Sequence, residues 1–115
     1  MTDTVPSCPR QDERKSLRDL RAWLEQRFAR RLQHCMLFGS RARGEGHEFS
    51  DLDVLVVVDD LTSAEANETA ARCGDLMTEH QVLVSPLALS SRRWSELIAG
   101  ERRIAREILR DGVPV

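Results

Sequence analysis

The spacing of apolar residues changes twice in the first half of the chain, and each change predicts the boundary of an element. From Gln11 to Gln33 the apolar residues stand three or four apart, which predicts an amphipathic helix. Its inner face comprises Leu17, Leu20, Trp23, Leu24, Phe28 and Leu32. The apolar run Cys35–Phe38 predicts a buried strand, and Asp53–Asp59, which contains Val-Leu-Val-Val-Val, predicts the central strand of a sheet.

Helical and extended patterns alternate again after the second strand. Ser63 can cap a helix that runs to about Glu79. The core face of this helix is predicted to comprise Ala66, Ala70, Cys73 and Met77. The segment Gln81–Leu89 predicts a third strand, and Pro86 within it indicates a strand at the edge of the sheet or a strand followed by a turn.

The last apolar pattern predicts a helix from Ser90 or Ser91 to about Arg110, which Gly112 and Pro114 then stop. Its inward residues are predicted to be Trp94, Leu97, Ile98, Ala105 and Ile108. In this order the elements predict an α/β (α+β) fold, in which helices flank a small three-stranded mixed sheet. Residues 1–10 lack periodicity and are predicted to form a loose N-terminal tail, and residues 11–115 a single domain.

Charge is segregated along the chain, although the net charge is only −2. Residues 10–31 carry a net +4, residues 45–80 a net −9 and residues 92–110 a net +3. The weak net charge argues against nucleic-acid binding driven by bulk positive charge. The apolar runs fall short of the roughly 20 residues that a membrane span needs. The three widely spaced cysteines predict reduced thiols in a cytoplasmic protein.

Two aspartates stand at the mouth of the predicted central strand. Asp51 and Asp53 are two residues apart, so the alternation of side chains along a strand directs both to one face. Two carboxylates held this close repel each other unless a cation lies between them. Paired aspartates suit Mg²⁺, which commonly joins one or two carboxylates to substrate phosphates. A pair of this kind alone also fits a solvated acidic strand edge.

The segment that precedes the aspartates favours the metal site. Gly39, after a buried strand, allows the backbone to approach a ligand closely, and Ser40 adds a hydroxyl. A helical turn that starts here would present free N–H groups to a phosphate. Arg41 and Arg43 add charged donors nearby. Phosphate donors and metal-binding carboxylates on consecutive strand ends predict metal-assisted attack on a nucleoside triphosphate.

The combined motif resembles the signature of the polymerase β-like nucleotidyltransferase superfamily. Gly39-Ser40 is followed after ten residues by Asp51 and Asp53. The stretch from Phe38 through the valine-rich strand is similar to the minimal nucleotidyltransferase branch of that superfamily, and so is the ending Ile108–Val115. The resemblance covers about residues 15–115 and implies the polymerase β-like nucleotidyltransferase fold.

What the resemblance implies about function is specific. Gly39 and Ser40 would hold the triphosphate of ATP or another nucleoside triphosphate, and the aspartate pair would bind one or two Mg²⁺ ions. The reaction would transfer a nucleoside monophosphate to a hydroxyl and release pyrophosphate. In this branch such proteins are commonly antitoxins of two-gene pairs whose toxin is a HEPN-domain ribonuclease. Because the chain contains no tyrosine and is short, we expect the acceptor to come from a partner protein. Oligomerisation is compatible with this scheme.

One departure from the family pattern leaves alternatives open. Active members usually carry a third carboxylate on a later strand, but Gln81–Leu89 contains no aspartate or glutamate. Glu79 could replace it only if that strand begins later than predicted, and His80 is interpreted as a helix-end histidine. The loss favours a non-catalytic module that binds nucleotide or neutralises a partner. A further alternative is one subunit of a small-molecule nucleotidyltransferase.

Overall fold

The computed structural model describes residues 11–39, 41–43 and 51–115. The predicted tail, Ser40 and the segment 44–50 lie outside the described residues. The helices are α1 (Gln11–Phe28), α2 (Ser63–His80), α3 (Ser91–Ala99) and α4 (Arg103–Asp111), and a 3-10 turn spans Ala29–Arg31. The strands are β1 (Leu32–Phe38), β2 (Leu52–Val58), β3 (Val84–Ser90) and β4 (Val113–Pro114). None of the helices in these ranges is long and apolar enough to cross a membrane.

The four strands form one mixed sheet in the order β3-β2-β1-β4. β1 is antiparallel to both β2 and β4, whereas β2 and β3 run parallel. The α+β prediction is therefore confirmed, and β3 is an edge strand as Pro86 indicated. The sheet has a fourth strand that the sequence did not predict, because the two residues of β4 are too few to show a periodic pattern.

Side chains from the two faces of β2 enter two separate cores. Val54, Val56 and Val58 pack beneath α1 and α2, while Leu55 and Val57 pack beneath α3 and α4. All five are essentially inaccessible to solvent. The unbroken apolar run predicted as a central strand is thus explained by burial on both faces. The same alternation directs Asp53, two residues before Leu55, toward the α3–α4 side.

Three boundaries differ from the predicted helices. α1 ends at Phe28 rather than Gln33, because Ala29 takes a left-handed conformation (φ 50°) and Leu32 already pairs with Val58 in the sheet. Thr62, not Ser63, caps α2. The single helix predicted after Ser90 is two helices, since the chain turns after Ala99 and Glu101 has a positive φ of 52°. Ser90 does cap α3, as one of the two predicted alternatives.

The predicted core faces of these helices are only partly correct. α2 buries Thr69, Cys73 and Leu76, whereas Ala70 and Met77 are exposed. Thr69 tolerates burial because its hydroxyl donates a hydrogen bond to the Glu65 carbonyl at 3.0 Å. In the last two helices the predicted inward residues are buried except Ile98, which is 38% exposed.

Candidate active site

The candidate site lies where three strand ends meet. Phe38 at the end of β1 pairs with Asp53 near the start of β2, and Asp53 pairs with Ser85 near the start of β3. A cavity of about 600 Å³ opens here on the α3–α4 side of the sheet. Its sheet wall includes Gly39, Asp53 and Ser85. The structure therefore places one of the predicted aspartates and the predicted glycine together in a cavity large enough for a small ligand.

The two aspartates are half-buried and electrostatically coupled. Burial, and secondarily the negative charge of Asp51, raises the pKa of Asp53 above its ordinary value. The Ser85 hydroxyl donates a hydrogen bond to Asp51 Oδ2 at 2.9 Å, which orients that carboxylate. Two partly desolvated anions with hard oxygen ligands form a donor set that a divalent cation would stabilise.

Gly39 packs directly against the Asp53 carboxylate. Its φ of 80° lies in the left-handed region, and a Cβ built there would be 2.7 Å from Asp53 Oδ2. The Gly39 carbonyl accepts hydrogen bonds from the N–H groups of Ala42 and Arg43 at 3.1 and 3.4 Å, which closes a tight turn. Glycine is thus required both by the backbone conformation and by the carboxylate.

We expect Gly39→Ala to lower the free energy of unfolding by about 1–3 kcal/mol, the usual cost of a strained backbone position. Gly74→Ala is the matched control, because a Cβ at this exposed position in α2 meets no atom within 4 Å. Alanine should stabilise α2 by about 0.5–1 kcal/mol through its higher helix propensity. Urea denaturation of both variants measures the difference, and equal effects at the two glycines would contradict the assigned role of Gly39.

The two predicted arginines hold the turn after Gly39 to the rest of the fold. Arg41 is 4% exposed, and its Nη2 donates a hydrogen bond to Oε1 of the equally buried Glu13 on α1. Arg43 Nη1 lies 3.6 Å from Asp111 Oδ2 at the end of α4. Both guanidinium groups therefore contact protein carboxylates, and nucleotide binding by Arg41 and Arg43 stays a prediction.

No carboxylate occupies the position on β3 where the family pattern expects one. Ser85 is the β3 residue that pairs with Asp53. The strand does begin later than predicted, at Val84, but Glu79 belongs to the last turn of α2 and its Oε2 lies 3.3 Å from Arg72 Nη1. His80 is a helix-end histidine as interpreted, with Nε2 2.8 Å from Asp19 Oδ2. Asp19, Glu79 and His80 form a small cluster that does not include any of the described cavity-lining residues.

The structure adds two site residues that the sequence analysis missed. Arg93 of α3 and Glu107 of α4 line the same cavity as Asp53. Both belong to charged positions on helices, which the sequence pattern assigns to solvent. Only the fold of the α3–α4 pair over the sheet brings them to the cavity that Asp53 lines, so no local motif could have identified them.

Comparisons with known proteins identify related sequences. A family model described as Nucleotidyltransferase domain matches residues 17–108. The Methanocaldococcus jannaschii protein MJ0604, provisionally named a protein adenylyltransferase, is 26% identical over 87 residues, which cover 76% of this chain and 83% of that protein.

Solved structures show the same fold. One that is provisionally described as a minimal nucleotidyltransferase has a TM-score of 0.63 at 23% identity, over 90% of this chain and 92% of its own. Two variants of the toxin–antitoxin pair MntA-HpeT give TM-scores of 0.53 and 0.54 at 20% and 21% identity. Those matches cover 83% and 85% of this chain and 68% and 70% of theirs. The family match, over most of the chain and across the candidate site, shows that this protein belongs to the nucleotidyltransferase domain family.

Proposed function

We propose that this nucleotidyltransferase transfers AMP from ATP to a hydroxyl on a partner protein, as the antitoxin of a HEPN-type toxin. The observation that carries the proposal is the aspartate pair at the start of β2, of which Asp53 lines the cavity beside Gly39 and Asp51 is bonded to the cavity residue Ser85. It joins a cation-binding donor set to a backbone that a phosphate can approach closely. Ser40, the proposed triphosphate contact beside Gly39, lies outside the described residues.

The residues present fit a divalent metal, and Mg²⁺ is the proposed one. Asp51 and Asp53 would hold it, since burial and the neighbouring charge of Asp51 raise the pKa of Asp53, and a cation bound to both carboxylates would offset these two effects. When bound, Mg²⁺ would neutralise charge on the transferred phosphoryl group. The protein's own contributions are fixed before any ligand arrives: Ser85 orients Asp51, and Gly39 leaves the space next to Asp53 free of a side chain.

The other residues that line the cavity also suit a nucleotide. Arg93 contributes a positive charge that can attract a polyanion. Its ion pair with Glu96, in which Nη1 and Oε1 are 3.3 Å apart, is exposed and therefore weak. Leu87, Leu97 and Ile104 provide apolar surface in the same cavity. A charged end next to an apolar wall is the combination that a triphosphate with an attached base requires.

A protein acceptor is supported by the relatives and by the surface of the chain. The M. jannaschii relative bears the name of a protein adenylyltransferase, and MntA belongs to a toxin–antitoxin pair. α3 and α4 expose Arg92 and Arg103 almost completely, so they could dock an acidic partner surface. The buried free thiols of Cys35 and Cys73 suit the reducing cytoplasm, where a toxin–antitoxin pair would act.

Transfer can be tested with ATP labelled at the α-phosphate, Mg²⁺ and the product of the adjacent gene. We expect label on a hydroxyl side chain of that product together with pyrophosphate release, and negligible release by this chain alone. Mass spectrometry of the labelled product identifies the acceptor residue. Brisk turnover by the isolated chain on a small alcohol or an aminoglycoside would contradict a protein acceptor.

One observation favours a second candidate function, a non-catalytic module that binds a partner. The β3 position opposite Asp53 carries Ser85 instead of a carboxylate. Tight binding of the adjacent gene's product, with no transfer of label under any pairing, would support this module and contradict AMP transfer.

A further inference from the structure

We propose that Glu107 of α4 supplies the carboxylate that β3 lacks and accepts the proton of the acceptor hydroxyl. The inference rests on the proposed transfer function. Among the described residues that line the cavity, the carboxylates are Asp53 and Glu107. They come from different walls, Asp53 from the sheet and Glu107 from the helix above it. A hydroxyl group that enters between these walls would meet the nucleotide on one side and Glu107 on the other.

One helical turn after Glu107, α4 contacts the turn that follows Gly39. Asp111, four residues on and thus on the same helix face, pairs with Arg43 of the turn that follows Gly39, at 3.6 Å. Ile108 and Ala105 anchor the inner side of α4 in the core, with 0% and 1% exposure. Glu107 is therefore carried on a helix that is anchored in the core and contacts the turn after Gly39.

The Glu107 carboxylate is also accessible to a reactant. Its side chain is 37% exposed, and its ion-pair partner Arg103, with Nε at 3.5 Å, is 93% exposed. An ion pair with so exposed an arginine contributes little to stability, so a reactant can readily displace the arginine from Glu107. A half-buried carboxylate at a cavity wall can accept a proton once the acceptor hydroxyl binds within hydrogen-bond distance of it.

The proposed step balances without any further reactant. The O–H bond of the acceptor breaks, and its proton passes to Glu107. The acceptor oxygen forms a bond to the α-phosphorus of ATP, and the bond from that phosphorus to the bridging oxygen breaks. Pyrophosphate leaves with the electron pair of that bond.

Glu107→Gln tests the role, because it keeps the shape and removes the base. We expect transfer of α-labelled AMP to the adjacent gene's product to fall about 10²–10⁴-fold, the usual contribution of a positioned base. Binding of an ATP analogue with a non-hydrolysable α,β bond should stay within twofold of wild type. Glu107→Asp should recover part of the rate.

Glu25→Gln is the matched control. Glu25 also accepts a hydrogen bond from an arginine four residues away, with Arg21 Nε and Glu25 Oε2 3.0 Å apart, but it lies on an exposed face of α1. This variant should transfer at the wild-type rate. Transfer by Glu107→Gln within threefold of wild type would overturn the inference and leave the proposed function standing. No transfer by the wild-type pair would overturn the proposed function, and the role of Glu107 with it.

Discussion

Glu13→Leu should lower the free energy of unfolding by about 3–5 kcal/mol, the cost of removing one partner from a buried ion pair. Glu13 and Arg41 are 2% and 4% exposed, and the guanidinium cannot lose its proton to escape burial. A loss of this size is a large share of the roughly 5–15 kcal/mol that stabilises a typical domain. Urea denaturation monitored by circular dichroism measures it.

Two further variants separate the ion pair from general damage to α1. Glu13→Leu combined with Arg41→Met should recover most of the loss, because two apolar side chains can replace a buried ion pair at little cost. Glu68→Leu removes the acidic partner of Arg27 in an exposed pair on the same side of the sheet, with Nη2 and Oε1 2.8 Å apart, and should cost at most about 1 kcal/mol. Similar losses for Glu13→Leu and Glu68→Leu would contradict the assigned role of the buried pair.

Asp51→Asn combined with Asp53→Asn should abolish nucleotide transfer and stabilise the protein without ligand. The loss of transfer should reach at least about a hundredfold, since a catalytic metal contributes several kcal/mol to the transition state and each 1.4 kcal/mol is a factor of ten. The effect on stability has the opposite sign, because the variant removes a partly buried charge and its repulsion by Asp51, the two causes that raise the pKa of Asp53.

The sign of the stability effect predicts its pH dependence. The folded-state pKa of Asp53 lies above its unfolded value, which is about 3.9. The contribution of Asp53 to stability is therefore fully present at pH values below its unfolded pKa. This contribution is lost as the pH rises through the folded-state pKa. We expect the double variant to be more stable than wild type at pH 7 and the difference to shrink near pH 3. Denaturation at the two pH values would refute the assignment if wild type were the more stable at pH 7.

The sequence predicted the parts of the site that depend on short-range spacing. The valine run after Asp53 predicted a buried strand and Gly39 the end of the preceding one, so the glycine and the aspartate were expected at neighbouring strand ends. The pairing of Phe38 with Asp53 and the close packing of Gly39 against that carboxylate confirm this placement. The alternation of side chains along a strand determines which face of the sheet Asp53 occupies.

The parts that the sequence could not predict depend on contacts between distant positions. Glu13 occurs in a highly charged stretch of α1 and looks solvent-exposed, yet it is buried because Arg41, 28 residues away, folds against it. The break after Ala99 turns one predicted helix into two, and only this turn places Glu107 over the sheet.

Calorimetric titration of ATP into the protein, with and without Mg²⁺, tests the central claim that the aspartate pair beside Gly39 is the metal and nucleotide site. The account predicts binding by the wild-type protein that requires Mg²⁺ and that the Asp51→Asn, Asp53→Asn variant lacks, while the circular dichroism spectrum of that variant matches wild type. Equal affinity of wild type and variant for ATP in the presence of Mg²⁺ would contradict it.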